Sequence, residues 1–595
     1  MVSDHRVAVL DRDLCDSKKC GGWPCINYCP PVRNGIEAIK MGEDGYPIIS
    51  ETLCISCGIC VKKCPFDAIT IVNLPSELKG DIAHHYGVNM FKLFRLPYPE
   101  RGKVVGLIGK NGIGKSTAIK ILAGQLIPNF GNLDREPSWE EAARFFRGSL
   151  IQEHLSALAR GTIKPSYKPQ YVDKIPQVVR GSVREVLTRV GGGSIEKVIK
   201  ALELEHLLDR DVAVLSGGEL QRLAIAACLM READIYILDE PSSFLDIRQR
   251  LKAAMEIRHT AEAGKKVVVA DHDLAVLDYL SDTIFLLYGE PAVYGIVAGP
   301  YGCREGINIF IEGYIPDENM RFRSEKIEFQ VKPPSRPEGE GIERLWWPSL
   351  TKSYEGFRLR VDEGWVGRGE VLGIVGPNGI GKTTFIKILA GRESSDEEYN
   401  FDPKSVSYKP QYPEPRGETV EEALRRAAGS RYDLPLFQSE IIRPFMLDKL
   451  LDRRLDELSG GELQKVSVAE ALAREADIYL LDEPSAFLDV EERYHMAKLL
   501  KRFALERRAY IFLVEHDLTV LDFASTSLMV FEGRPGIEGH GCSPTSLRDG
   551  FNKFLKDMGI TFRRDKNTLR PRANKPHSQL DRRQKQEGEY YYVTA

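Results

Sequence analysis

A set of motifs that occurs twice, in one order, constrains this 595-residue chain more than any other feature. GLIGKNGIGKSTAIKILAG at 106–124 returns as GIVGPNGIGKTTFIKILAG at 373–391, and YKPQY at 167–171 returns at 408–412. LSGGELQ at 215–221, ADIYILDE at 233–240 and the HDL of 272–274 return, with small changes, at 458–464, 476–483 and 516–518. Self-similarity over such a span means two copies of one domain. Lys115 and Lys382 are 267 residues apart, whereas Gln170 and Gln411 are 241 apart, so the first copy carries 26 extra residues between these motifs. That insert, about 131–161, has apolar residues at helical spacing around a Gly148–Ser149 break, with Ser138 and Glu141 spaced as a capping box. It reads as a helical hairpin on one copy.

Each copy carries a phosphate site. Gly109-x4-Gly114-Lys115-Ser116 and Gly376-x4-Gly381-Lys382-Thr383 follow β-branched apolar runs and open helical patterns, the context a P-loop requires. The backbone of Gly109, Asn111, Gly112 and Gly114, and of Gly376, Asn378, Gly379 and Gly381, can wrap phosphates at a helix N-terminus. Lys115 and Lys382 would reach the β/γ-phosphates; Ser116 and Thr383, followed by Thr117 and Thr384, would turn hydroxyls to Mg²⁺. Asp239 and Asp482 end apolar strands as magnesium partners, and Glu240 and Glu483 follow as candidate general bases. The expected reaction is hydrolysis of ATP to ADP and phosphate.

Eight of the eleven cysteines lie between Cys15 and Cys64. Cys54-x2-Cys57-x2-Cys60-x3-Cys64-Pro65 has the spacing of a bacterial [4Fe–4S] ferredoxin run, and Cys15-x4-Cys20-x4-Cys25-x3-Cys29-Pro30 is a stretched version. In two-cluster ferredoxins the fourth cysteine of each run crosses to the other cluster. That assigns Cys15, Cys20, Cys25 and Cys64 to one cluster and Cys54, Cys57, Cys60 and Cys29 to the other. Two zinc sites are the alternative, but zinc favours CxxC pairs with a longer spacer. Cys228, Cys303 and Cys542 are scattered and read as inert.

The LSGGE segments, Leu215–Glu219 and Leu458–Glu462, resemble the signature of the ABC-type ATPases. The resemblance implies an α/β fold with two tandem P-loop ABC-type nucleotide-binding domains packed head to tail, behind an N-terminal α+β two-cluster ferredoxin-like domain. It implies two composite sites, one joining Lys115 with Ser459, Gly460, Gly461 and Glu462, the other Lys382 with Ser216, Gly217, Gly218 and Glu219. By the same resemblance Gln170 and Gln411 contact Mg²⁺ or the attacking water, His272 and His516 face the γ-phosphate, and Asp246 and Asp489 reach across the dimer. Tyr86, Phe91, Tyr354 and Phe357 are candidates to stack the adenines. The implied cofactors are two [4Fe–4S] clusters and two Mg-ATP.

Lys plus Arg is 82 against Asp plus Glu 86, a net charge of −4 that excludes a wholesale polycation. No run of 18 apolar residues and no secretory pattern is present, so a cytoplasmic protein with no membrane contact is expected. A ferredoxin-like module ahead of two ABC domains, with an insert in the first, resembles subfamily E, the RNase L inhibitor or ribosome-recycling factors of archaea and eukaryotes. That implies ATP-driven splitting of ribosomes after termination or stalling, with the protein staying on the small subunit. The implied partners are the small subunit and its RNA, a release factor or its stalled-ribosome relative, and initiation factors. The implied state is a monomer whose ABC domains form an intramolecular dimer. The alternatives are an ATP-coupled iron–sulfur electron-transfer protein and the ATPase subunit of a transporter.

The expected organisation is a ferredoxin-like domain over 1–75, a first ABC domain over 76–290, a connector over 291–331 and a linker over 332–341. A second ABC domain over 342–532, a second connector over 533–564 and a basic tail over 565–595 follow. Nine Lys or Arg against two Asp between Arg563 and Lys585 make that end a candidate RNA contact.

Overall fold

The computed structural model describes residues 5–12, 14–50, 53–74, 81–191, 195–331, 343–397, 399 and 405–592. The chain divides into two units: Met1–Pro241, Glu256–Asp271 and Ser281–Ser324 form the first, and Ser242–Met255, His272–Leu280 and Glu325–Ala595 the second. The division therefore does not follow the repeat boundary. Two stretches of the first repeat belong to the second unit.

In the first unit the strand His5–Leu10 pairs antiparallel with Ile69–Leu74, closing a module over a small hairpin, Ile39–Met41 and Pro47–Ile49. Prolines start the short helices Pro24–Asn27 and Pro30–Arg33, where a missing N–H costs nothing. The module's core counts Ala8, Leu10, Ala38, Ile39, Ile49, Ala68 and Ile69, and shares its interior with Cys25, Cys29 and Cys60. Asn89, 2% exposed and in the left-handed region at φ 56°, plugs this module from the ABC core. Its amide donates to the Ala8 and Ile49 carbonyls at 2.9 Å and accepts from the Ile49 N–H at 2.7 Å.

The first ABC sheet runs Ile82–His85, Lys92–Phe94, Tyr294–Gly302, Thr283–Glu290, Val104–Ile108, Lys266–Ala270, Ile235–Asp239, Pro165–Lys168. From Thr283–Glu290 onward the neighbours are parallel, and these strands are apolar because both faces are covered. The P-loop strand Val104–Ile108 is flanked on both sides, so its C-terminal end opens into the crevice where α/β sheets bind ligands. The insert is a pair of helices, Trp139–Phe145 and Gln152–Ala159, and Ser138 and Glu141 form the expected reciprocal cap. Ala142, Ala143, Ile151 and Leu155 seat the pair on the first core, while Phe145 stays exposed and stacks on Phe130 at 4.3 Å.

The second unit repeats the order with Leu350–Tyr354, Phe357–Val361, Glu538–Gly541, Ser527–Arg534, Val371–Val375, Tyr510–Val514, Ile478–Asp482 and Val406–Lys409. Thr545–Ser546 pairs with Ser527–Arg534.

Three boundaries differ from expectation. The connectors expected at 291 and 533 begin inside the sheets, because Tyr294–Gly302 and Glu538–Gly541 are the return strands of hairpins. Their Gly- and Pro-bearing turns read as connector composition. The basic end is folded: Phe562–Arg564 pairs with Pro571–Ala573, the helix Gln579–Glu587 follows, and Arg564, Arg570 and Arg572 are spent on internal carboxylates. The linker expected over 332–341 lies outside the described residues. Among the described residues no helix is long and apolar enough to cross a membrane.

Candidate functional site

The two P-loops are built alike. Gly114 and Gly381 start the helices Lys115–Leu122 and Lys382–Leu389 at φ 99° and 101°, and a Cβ there would sit 2.7 Å from Phe91 or from Leu359. Glycine is thus required twice over, by conformation and by close approach. Lys115 Nζ donates to the carbonyls of Gly109 and Lys110 at 2.8 and 2.7 Å, and Lys382 to those of Gly376 and Pro377 at the same distances. Each ammonium thereby holds its loop curved around the place a phosphate would take.

The carboxylates close the cradle. Ser116 Oγ donates to Asp239 Oδ2 at 3.1 Å. Burial, with Glu240 beside it, pushes Asp239 up to about 6, and the same causes raise Asp482. A buried aspartate that resists ionising is one a bound divalent cation would ionise. Glu240 and Glu483 both lie in the left-handed region, at φ 48° and 45°. Such strain persists only where the surroundings over-determine it. Here Glu240 N–H donates to Ala270 at 2.8 Å, and Gln221 and Lys168 hold its carbonyl at 2.7 and 3.1 Å. Glu483 N–H donates to Val514 at 2.9 Å, with Gln464 and Lys409 on its carbonyl at 2.6 and 3.3 Å. Gln170 and Gln411 donate to the glutamate side chains at 2.7 and 2.8 Å.

The second site adds His516, whose Nε2 lies 3.1 Å from Glu483 Oε1. Burial raises Glu483, but His516, with Lys382 and Arg250, outweighs it and brings the carboxyl down to about 2. Asp246, from the first repeat but within the second unit, accepts from the Asn378 N–H at 2.9 Å, so it touches the second P-loop. Asp489 instead caps its own helix on Glu492. His272 is buried at the entrance to the helix Leu274–Leu280.

The signatures are capping boxes. Ser216 and Ser459 cap the 14-residue helices Gly217–Met230 and Gly460–Ala473, with Glu219 and Glu462 reaching back. Glycines at the first two helical positions leave the amides open to an anion. Of the adenine candidates, Tyr86 and Tyr354 are exposed beside the P-loop helices, and Tyr86 Oη lies 3.2 Å from Thr117 Oγ1. Phe91 and Phe357 lie partly buried under Gly114 and Gly381, where they support the loops.

Sequence reasoning missed Lys168, Lys409, Gln221, Gln464 and Arg250. The first four recur in both copies inside YKPQ and LSGGELQ, which is the signal that could have found them. Arg250 pairs with Asp273 at 2.8 Å and reaches the His516 carbonyl at 3.3 Å.

The eight N-terminal cysteines form two groups of four. Cys15, Cys20, Cys25 and Cys64 line one cavity with Leu10, Pro24, Pro47, Phe66 and Ile69. Cys54 and Cys57 lie close enough to Cys29 and Cys60 to add to the rise that burial causes in both, which marks a second group of four. Burial first, then neighbouring thiolates, pushes Cys15, Cys25 and Cys60 up to about 11. Ser56 and Ala68 turn their N–H groups onto Cys54 and Cys64 sulfurs at 3.4 Å. Crowded soft donors in an apolar shell fit an iron–sulfur cluster, whose iron would offset the thiolate repulsion.

Comparison with known proteins agrees with this chemistry. The model described as ABC transporter matches residues 98–243 and 363–486. "Possible Fer4-like domain in RNase L inhibitor, RLI" matches 5–37, and "4Fe-4S binding domain" matches 47–70. The uncharacterized ABC transporter ATP-binding protein MJ0719 of Methanocaldococcus jannaschii is 51% identical over 594 residues, 99% of this chain and 98% of its own. Translation initiation factor RLI1 of Saccharomyces cerevisiae is 45% identical over 600 residues, 99% of this chain and 98% of its own. Archaeal ABCE1, in a model of ribosome-bound Pelota and ABCE1, superposes with TM-score 0.92 at 51% identity over 100% of both chains. Alike end to end to these relatives, with two ATP-hydrolysing ABC domains and a 4Fe–4S binding module in one polypeptide, the chain belongs to family E of the ABC ATPases.

Proposed function

We propose that this protein is an ATP-driven ribosome-recycling factor that splits ribosomes into subunits after termination or stalling and stays on the small one. The single observation that carries the reading is the full-length likeness, at TM-score 0.92, to an ABCE1 placed on the ribosome beside Pelota. The partners are the small subunit and its RNA, a release factor or its stalled-ribosome relative, and initiation factors. The protein works in the cytoplasm as a monomer. Its domains are a ferredoxin-like module, two ABC cores, the inserted hairpin and the segments that follow each core.

Two composite sites hydrolyse ATP, Lys115 acting with Ser459, Gly460 and Gly461, and Lys382 with Ser216, Gly217 and Gly218. Mg²⁺, when bound, neutralises developing charge on the phosphates. Ser116 with Asp239, and Thr383 with Asp482, would hold it. Glu240 and Glu483, fixed by their backbone contacts and aimed by Gln170 and Gln411, take the proton of the attacking water. His272 and His516 face the transferred phosphate, and Asp246 and Asp489 tie the sites together. Tyr86 and Tyr354 stack the adenines. Cys15, Cys20, Cys25 and Cys64 would hold one [4Fe–4S] cluster and Cys29, Cys54, Cys57 and Cys60 another, and a module so cross-linked would be a rigid body for ATP-driven closure to push.

The test is sedimentation. Protein purified without oxygen is mixed with ribosomes, a release factor and ATP or a non-hydrolysable analogue. Subunits with the protein on the small one support the proposal; protein left at the top under every nucleotide ends it.

A further inference from the structure

One polar cluster in the second unit belongs to neither the ATP sites nor the N-terminal cysteines. The antiparallel strands Ser527–Arg534 and Glu538–Gly541 set Glu532 directly opposite His540. Cys542 follows two residues on, so its side chain leaves the same face. His540 Nδ1 lies 3.6 Å from Glu532 Oε1 and 4.0 Å from Cys542 Sγ. One donor atom from each of the three residues falls within 4.8 Å of the other two. A tetrahedral ion with bonds of about 2.0–2.3 Å holds its ligands roughly 3.3–3.6 Å apart, so side-chain shifts of a few tenths of an ångström to about one ångström would close this set.

The other ring nitrogen is already committed. His540 Nε2 lies 2.8 Å from Asp362 Oδ2, and a carboxylate can only accept, so Nε2 donates there and Nδ1 is the nitrogen turned to Glu532 and Cys542. Asp362 is itself pinned, its N–H donating to Gly541 at 2.8 Å. A carboxylate behind a histidine is the usual orienting partner of a metal-bound imidazole. Lys553, from the helix Leu547–Met558, places Nζ 3.0 Å from Cys542 Sγ and 3.1 Å from Glu532 Oε2. A positive charge thus already sits among these donors, on a side chain 47% exposed that can swing away.

We propose that Glu532, His540 and Cys542 form a three-ligand site for a borderline-soft divalent cation of the zinc class, with Lys553 as the counter-ion that any incoming metal displaces. The donor set is one sulfur, one imidazole nitrogen and one carboxylate, which suits zinc and discriminates against Mg²⁺, a hard ion that demands octahedral oxygen ligands. Competition with the lysine sharpens that choice, since only a tightly bound ion offsets the cost of expelling the ammonium. Glu532 and His540 stand on strands internal to the sheet, and Cys542 is one residue past the second, so the backbone that carries the ligands is in place before metal arrives.

The test is equilibrium dialysis of the full, iron–sulfur-loaded protein against ⁶⁵Zn²⁺ at micromolar free zinc in millimolar Mg²⁺, with iron and sulfide measured in every sample. The expected result is one zinc per chain with iron unchanged. Cys542→Ser and His540→Gln should each lose it, and Asp362→Asn should weaken it by roughly 10–100-fold. Lys553→Met should tighten it. Three results would overturn the site: no zinc retained by the wild type, equal retention by Cys542→Ser and His540→Gln, or retention that tracks iron loss. ATPase activity equal to wild type in both Cys542→Ser and His540→Gln controls for folding.

Discussion

Arg564 lays both guanidinium nitrogens on Asp522, each at 2.7 Å, in a pair that is 1% and 2% exposed. Asp522 also accepts from Tyr591 Oη at 2.5 Å. The equivalent aspartate of the first repeat, Asp278, lies 244 residues earlier and within the same unit. It is gripped from the same C-terminal segment, by Arg570 at 3.0 Å and Arg572 at 2.7 Å. One short hairpin therefore ties down the helices Leu274–Leu280 and Leu518–Ala524, which begin two residues after His272 and His516. Breaking a buried pair leaves a charge uncompensated. Arg564→Met should cost about 3–5 kcal/mol of stability in the second unit, read by urea unfolding, and adding Asp522→Leu should recover most of it. Unchanged unfolding of the single variant would refute this account. Asp278 is held below the ordinary carboxylate range despite its burial, chiefly by Arg570 and then Arg572. Its contribution is therefore present above an unfolded value near 3.9 and fades as pH falls below that, so acid should release the C-terminal segment.

Glu240→Gln and Glu483→Gln should each keep ATP binding and lose turnover at their own site by about 10²–10⁴-fold, the usual worth of a general base. Rapid filtration would find nucleotide trapped on each variant. The second site has a further signature. His516 is the largest cause that lowers Glu483, so His516→Gln should shift the acid limb of the single-turnover rate to higher pH. An acid limb that does not move would separate the histidine from the glutamate. Glu483 ionisation itself contributes stability that is full above an unfolded value near 4.3 and is lost only as pH falls toward 2.

Lys168 and Lys409 are the buried clamps of the strained glutamates, and burial lowers both to about 8. Between about 8 and an unfolded value near 10.4 the unfolded chain keeps a proton that the folded chain has shed, so folding stability should rise with pH across that window. In Lys168→Met with Lys409→Met the rise should vanish, as measured by denaturation midpoints at both ends of the window. The same change leaves the carbonyls of Glu240 and Glu483 on Gln221 and Gln464 alone, and turnover should drop by roughly tenfold or more, about 1.4 kcal/mol of barrier. A doubly substituted protein with normal turnover would mean the strained backbone conformation holds without its lysines.

The repeat made most of this legible in advance. P-loops, strand-terminal aspartates, capping boxes and the Ser138–Glu141 hairpin are local codes, carried by residues a few positions apart. What the sequence hid is non-local. The cations at Arg564, Arg570 and Arg572 look like a solvated basic run until Asp522 and Asp278 are placed opposite them. The hairpin returns at Tyr294–Gly302 and Glu538–Gly541 look like linker, because glycine and proline mark a turn whether or not the chain comes back into the sheet. Asp246 on Asn378 spans 132 residues, and no spacing rule within one repeat predicts it.

The N-terminal module depends on its cysteines more than on its few apolar residues. Among the described residues ten make its buried core, and three of them are Cys25, Cys29 and Cys60. A domain this small needs cross-links to stand alone. Stripping iron with a chelator under air should therefore unfold 5–74 selectively, so that limited proteolysis cuts there while the ABC cores stay intact. Asn89 should respond differently. Asn89→Ala leaves the clusters bound but strips partners from the Ala8 and Ile49 carbonyls and the Ile49 N–H. Each buried group left unsatisfied costs about 1–3 kcal/mol, so hydrogen exchange at Ile49 should quicken without loss of iron. If exchange at Ile49 stays slow in that variant, Asn89 is not what fastens the module to the first core.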